Sequence, residues 1–147
     1  MTPLTTVPAE AGLSRSASIA PPVTPATLDR EVRGWLRLEG LVVGLVGAVL
    51  YARLGGDWLW FVPAFLLVDL SAIGYLKGPR LGAFGYDLVH NWGLGFATLG
   101  LGLGAGLPVV ALAGAVVIAH IGVDRTVGYG LKLQTGFKDT HLGRTGR

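Results

Sequence analysis

PVVALAGAVVIAHIGVDRTVGYGLK, Pro108 to Lys132, is the stretch on which the fold turns. From Pro108 to Val123 it carries no Asp, Glu, Lys or Arg; then His120, Asp124 and Arg125 gather within six residues at its end. An uninterrupted apolar run of this kind reads as a bilayer-crossing helix, continuing toward Tyr129 to cover a hydrocarbon core about 30 Å thick. The polar residues at its end then need an explanation, because ionisable groups at membrane depth are costly and mark function by default.

The rest of the chain repeats the pattern. Of 147 residues, 51% are hydrophobic and 14% charged, where soluble domains carry about a quarter charged residues. Mean hydropathy is +0.57. Twenty-four glycines suit helices that approach closely in lipid. The spacing predicts spans at Glu39–Leu54, Trp58–Leu76, Leu81–Ala105 and Pro108–Val123, with Trp58, Trp60 and Phe61 as an interfacial belt and Pro63 as a kink. Residues 1–26, rich in Pro, Thr, Ala and Ser, read as a disordered tail. They lack the apolar core of a secretory signal, so the first span is expected to be retained. Residues 27–38, opened by Thr27 as N-cap with Asp29 and Glu31 in the first turn, read as a short interfacial amphipathic helix running into span one. The expected fold is all-α: an integral membrane four-helix bundle over residues 39–130, followed at 131–147 by a cytoplasmic tail or lid.

Charge asymmetry orients the spans. Arg30, Arg33 and Arg37, then Lys77 and Arg80, then Arg125, Lys132, Lys138, Arg144 and Arg147 share one side, while the other has Arg53 offset by Asp57. By the positive-inside rule this is a multi-pass protein of the cell membrane with both termini cytoplasmic. The net charge of +3 is spread beside apolar segments rather than clustered on one face, which argues against a nucleic-acid partner. Membrane lipids are the expected partners, with a homo-oligomer as a further one. The absence of cysteine excludes thiolate metal sites and disulfides.

This orientation collects the polar residues in one leaflet. Asp69, Ser71 and Tyr75 come from span two, Asp69 lying about 12 Å from Lys77 at the rise of an α-helix. Tyr86, Asp87, His90 and Asn91 come from span three, His120, Asp124, Arg125 and Tyr129 from span four, and Glu39 from span one. His120 and Asp124 are i,i+4 neighbours, as are Tyr86 and His90, and Asp87 and His90 are i,i+3. The acid–base candidates are Asp69, His90, His120 and Asp124. The substrate-binding candidates are Glu39, Tyr75, Tyr86, Asn91, Arg125 and Tyr129. His90, His120 and Asp124 are candidate ligands of a divalent metal, since neutral imidazole suits Zn, Fe or Cu. Four buried carboxylates need positive charge from protons, imidazolium, a metal or a cationic substrate.

Taken together, Leu38-Glu39-Gly40, the Asp69–Tyr75 run, Gly78-Pro79-Arg80 with Gly82-Ala83, Tyr86-Asp87 with His90-Asn91, His120–Arg125 with Gly128–Lys132, and Phe137–Gly143 resemble the uncharacterised membrane-protein family designated domain of unknown function 4260. The resemblance implies a small helical membrane protein and no particular reaction. From the residues, the leading expectation is an intramembrane enzyme acting on a lipid or isoprenoid-like substrate from a cytoplasmic-leaflet pocket, by acid–base or metal-assisted chemistry. The alternatives are a small transporter or proton-coupled subunit, and a structural or assembly protein.

Overall fold

The structure, a computed structural model, describes residues 30–145. The tail 1–26 and the Thr27 cap lie outside the described residues. Within them the chain is helical apart from its turns and the C-terminal segment: α1 (Arg30–Arg53), α2 (Trp58–Leu67) continuing as a 3₁₀ segment (Val68–Lys77), α3 (Pro79–Val89), α4 (Trp92–Gly104), α5 (Pro108–Val127), and short strands β1 (Asp139–Thr140) and β2 (Gly143–Arg144). Arg30–Arg53, Trp58–Lys77 and Pro108–Val127 are each long and apolar enough to cross a membrane. The exposed surface of α1, α2 and the 3₁₀ segment carries Leu45, Val49, Leu59, Leu66, Leu70 and Ile73, as expected where the surroundings are lipid rather than water.

The hub is α5, which buries Ala115, Ile118, Ala119, His120 and Ile121 almost completely. Its small residues let α1 pack antiparallel along one side, Gly44 meeting Gly122 and Gly47 meeting Ala119, and α4 along another, Leu99 meeting Gly114 and Gly102 meeting Ala111. Without a hydrophobic drive between helices in lipid, such backbone contact is the main source of packing energy. Leu38 and Glu39, the expected boundary between interfacial helix and span, lie inside the unbroken α1.

Two departures from the expected geometry decide where the polar residues go. The stretch expected to form a third span is not one rod: it breaks at His90–Asn91 into α3 and α4, neither of them long enough to count among the span-length helices. Asn91 takes an extended conformation, and its carboxamide caps α4 by accepting from the Leu94 N–H at 2.9 Å while donating to the Asp87 and Leu88 carbonyls that end α3. Helix α3 packs on the 3₁₀ segment, with Gly82 against the Tyr75 ring and Gly74 against the Leu81 backbone, whereas α4 packs on α5. The second span also changes character, tightening from α to 3₁₀ at Val68. At about 2.0 Å per residue, Asp69 stands roughly 16 Å from Lys77, deeper than an α-helical rise would put it. Both irregularities flank the same point, beside Asp69 and His90. The backbone groups freed there need partners, which restricts such breaks to protein-lined or watered sites.

Candidate functional site

Three elements converge at that point. His90, at the end of α3, and His120, in the middle of α5, face each other with their Nε2 atoms 3.2 Å apart. Asp69, on the 3₁₀ segment, brings Oδ1 to 3.4 Å from His120 Nε2 and 3.7 Å from His90 Nε2. Asp124, one turn beyond His120 on α5, brings Oδ2 to 3.8 and 3.9 Å from the same two nitrogens. Tyr86, one turn before His90 on α3, donates its hydroxyl to Asp124 Oδ2 at 2.5 Å and stacks its ring on His90 at 3.6 Å. The i,i+4 pairs on α3 and α5 thus interlock.

Hydrogen bonding locates one proton. His90 Nδ1 lies 2.9 Å from the Tyr86 carbonyl oxygen, which can only accept, so Nδ1 carries the proton. In the neutral form of the ring, Nε2 would aim a lone pair into the cluster. His120 is 1% exposed, its Nδ1 has no partner, and Phe65 covers its ring with centroids 4.5 Å apart. The side chains close around this point: the space among Tyr86, His90, Asp124 and Arg125 admits no water-sized cavity. One ligand atom each of Asp69, His90 and His120 lie within 4.8 Å of one another.

The remaining candidates divide. Arg125, 8% exposed, reaches the His90 carbonyl oxygen from Nη2 at 3.5 Å and turns Nη1 to the His141 ring. Glu39 shares with Arg125, Trp92 and His141 a cavity of about 220 Å³, whose lining does not include His90 or His120. Asn91, expected to contact substrate, is committed instead to capping α4 and closing α3, the physical reason being the helix break itself. Tyr75 turns toward the C-terminal segment, stacking edge-on against Phe137 with centroids 5.2 Å apart. Tyr129 lies between the cluster and a second cavity. Asp87, the i,i+3 neighbour of His90, points away from it and accepts from the Lys132 N–H at 2.6 Å.

Lys132 is the residue whose place the sequence least suggested. It is 4% exposed, with Nζ 4.2 Å from the centroid of Phe137 and 5.0 Å from that of Tyr86. Loss of water around it pushes its ammonium below the usual lysine range, and the carboxylates of Asp124, Asp87 and Asp69 pull the other way. It supplies part of the positive charge that the acidic side chains demand, and its only sequence signal was a basic residue following Gly128-Tyr-Gly130-Leu.

The segment after α5 folds back over this end of the molecule. Lys132 pairs with Thr140, β1 with β2, and Leu142 is buried. His141 fastens it, accepting at Nδ1 from the Leu131 N–H at 2.8 Å beside Arg125 Nη1 at 3.3 Å. The ring can accept only while neutral. Loss of water and the charge of Arg125 push its pKa below the ordinary histidine value, with Asp87 pulling the other way. Because the folded value is depressed, the stabilisation is fully present above about pH 6.5 and is lost as pH falls toward the folded value. Amide protection factors in residues 131–145, corrected for the intrinsic slowing of exchange with falling pH, should therefore drop on acidification from about pH 7.5 to about pH 5.5, and His141→Ala should flatten that dependence.

The family described as Domain of unknown function (DUF4260) matches residues 33–145, and the chain belongs to it. Neither a curated protein nor a solved structure matches the chain.

Proposed function

We propose that this DUF4260 protein is an intramembrane enzyme that takes a lipid or isoprenoid-like substrate from the cytoplasmic leaflet, using a divalent cation held by Asp69, His90 and His120 with Asp124 beside it as general base or further ligand. The observation that carries the reading is the position of Asp69. Its side chain is 56% exposed among the outward-facing Leu66, Leu67, Leu70 and Ile73, yet its carboxylate turns inward to two histidines that are 2% exposed. A carboxylate on an apolar flank is expensive unless something positive or reactive meets it there. It is also reachable by a molecule dissolved in the bilayer.

The spacing supports a cation. Ligand bonds of about 2.0–2.2 Å in tetrahedral array place donor atoms roughly 3.3–3.6 Å apart, against 3.2, 3.4 and 3.7 Å here. Asp124, at 3.8 and 3.9 Å from the two nitrogens, lies a little beyond that spacing, held by Tyr86. In this reading the histidines and Asp69 hold the ion, Tyr86 steadies Asp124, and Arg125 and Lys132 balance the remaining carboxylates. A bound divalent cation would polarise a substrate oxygen or acidify a water. An apolar groove of about 160 Å³, lined by Leu45, Ala48, Phe61, Phe65 and Val123, adjoins His120 through Phe65 and suits a hydrocarbon chain. The excess of Arg and Lys at this end favours the cytoplasmic side.

Lipid and isoprenoid extracts of cells producing the wild type or Asp69→Asn test the activity. At least one species should differ in abundance between them, both proteins eluting as folded particles. Identical extracts from equal amounts of folded protein would overturn the enzyme reading.

A further inference from the structure

Where the C-terminal hairpin meets the start of α1, a separate cavity of about 330 Å³ is lined by Arg33, Arg37, Gly128, Tyr129, Gly143 and Arg144, among others. Its character comes from two elements far apart in sequence. Arg33 and Arg37 are i,i+4 on α1, so their guanidinium groups share one helix face, where like charges repel. The β1–β2 turn then brings in a third guanidinium on Arg144. Among the described residues no Asp or Glu lines the cavity; Arg144 Nε has Asp139 at 3.9 Å, an exposed pair that offsets little of the charge.

The two glycines show that the space is shaped around these side chains. Gly128, which ends α5, and Gly143, in the hairpin, have φ of +94° and +112°, the left-handed region where a side chain is strained. A Cβ on Gly128 would run into Arg37 Nη2, and one on Gly143 would stand 3.4 Å from Arg33 Nη1. The backbone turns that close α5 and the hairpin are thus the ones that leave room for the guanidinium forks.

We propose that this cavity binds a phosphate group, carried by an anionic amphiphile at the membrane surface or by a phosphate compound from the aqueous side. Guanidinium matches phosphate with paired N–H donors in fixed geometry, and several of them converging on a cavity with no acidic side chain among its described lining fit a dianion better than a carboxylate. Tyr129 lines both this cavity and the closed space beside His90 and Asp124, so a phosphate seated here would stand next to the histidine–aspartate cluster. The assignment does not depend on a cation being bound there.

The detergent-purified full chain is titrated with inorganic phosphate, with dioctanoyl phosphatidic acid and with dioctanoylglycerol, followed by tryptophan fluorescence. Saturable one-to-one binding of phosphatidic acid is expected, weakened about tenfold by Arg33→Gln or Arg37→Gln and unchanged by Arg53→Gln at the far end of α1. If inorganic phosphate also saturates the site, the group is recognised from water; if phosphatidic acid alone does, the source is the lipid. Both outcomes support the proposal. It is overturned if neither phosphate probe saturates, if dioctanoylglycerol binds equally well, or if the Arg33 and Arg37 variants, helical by circular dichroism, bind as the wild type does. Metal content should be the same in Arg37→Gln as in the wild type, so failure here and failure of the cation reading are separate results.

Discussion

Detergent-purified protein carries stoichiometric divalent metal, and His120→Ala loses it: that is the result expected from elemental analysis, with the variant's affinity reduced by more than the ten- to hundredfold or so that follows loss of a supporting partner alone. His120 is singled out because its Nε2 belongs to the two shortest edges of the ligand triangle, 3.2 Å to His90 and 3.4 Å to Asp69. Removing it leaves His90 and Asp69 3.7 Å apart with nothing between them. His141→Ala is the control, since that ring faces Arg125 and Leu131. Metal affinity should also fall as pH drops through the histidine range, because protons compete for the lone pairs. A wild-type protein that purifies folded and without stoichiometric metal, and takes none up on dialysis against zinc or manganese, would remove the cation from the proposal.

The second large effect belongs to Gly122→Val. A side chain at this position would strike the backbone of Gly44 and the carbonyl oxygen of Gly40, atoms that cannot swing aside as a flexible side chain can. Overpacking costs about 1–3 kcal/mol, and the upper end applies because relief requires α1 and α5 to separate along their whole contact. Thermal unfolding in detergent should show a clear drop in midpoint. Gly34→Val and Gly100→Val, at positions where nothing lies within 4 Å, should behave nearly as the wild type. Equal stability of all three variants would mean that α1 and α5 are not held by close backbone contact.

Helical spacing carried much of the site. The i,i+4 pairs Tyr86/His90 and His120/Asp124 interlock because helix geometry is periodic, and bringing α3 and α5 together was enough to join them. The i,i+3 pairing of Asp87 with His90 failed for a related reason. At the last turn of α3 the chain is about to change packing partner, so Asp87 faces the C-terminal segment. The break itself was hidden: Leu81–Ala105 keeps its apolar composition straight through His90–Asn91, and an asparagine inside such a run reads equally well as a polar member of a span or as a cap. The tightening at Val68 had no local signal at all, since 3₁₀ and α segments share the same apolar pattern. Lys132 read as a flanking basic residue because aromatic rings from three separate segments bury it, and no one-dimensional pattern joins Tyr86, Tyr129 and Phe137.

The interruption at His90–Asn91 has a mechanical consequence. Because α3 leans on the 3₁₀ segment and scarcely on α4, those two elements form an arm whose grip on the α1–α4–α5 body runs largely through a handful of polar side chains: Tyr86 to Asp124, His90 and Asp69 to His120, Asp87 to the Lys132 backbone. Such a clasp tightens or slackens with its charge. Gain or loss of a proton among these groups therefore bears on how firmly the arm is joined to the body.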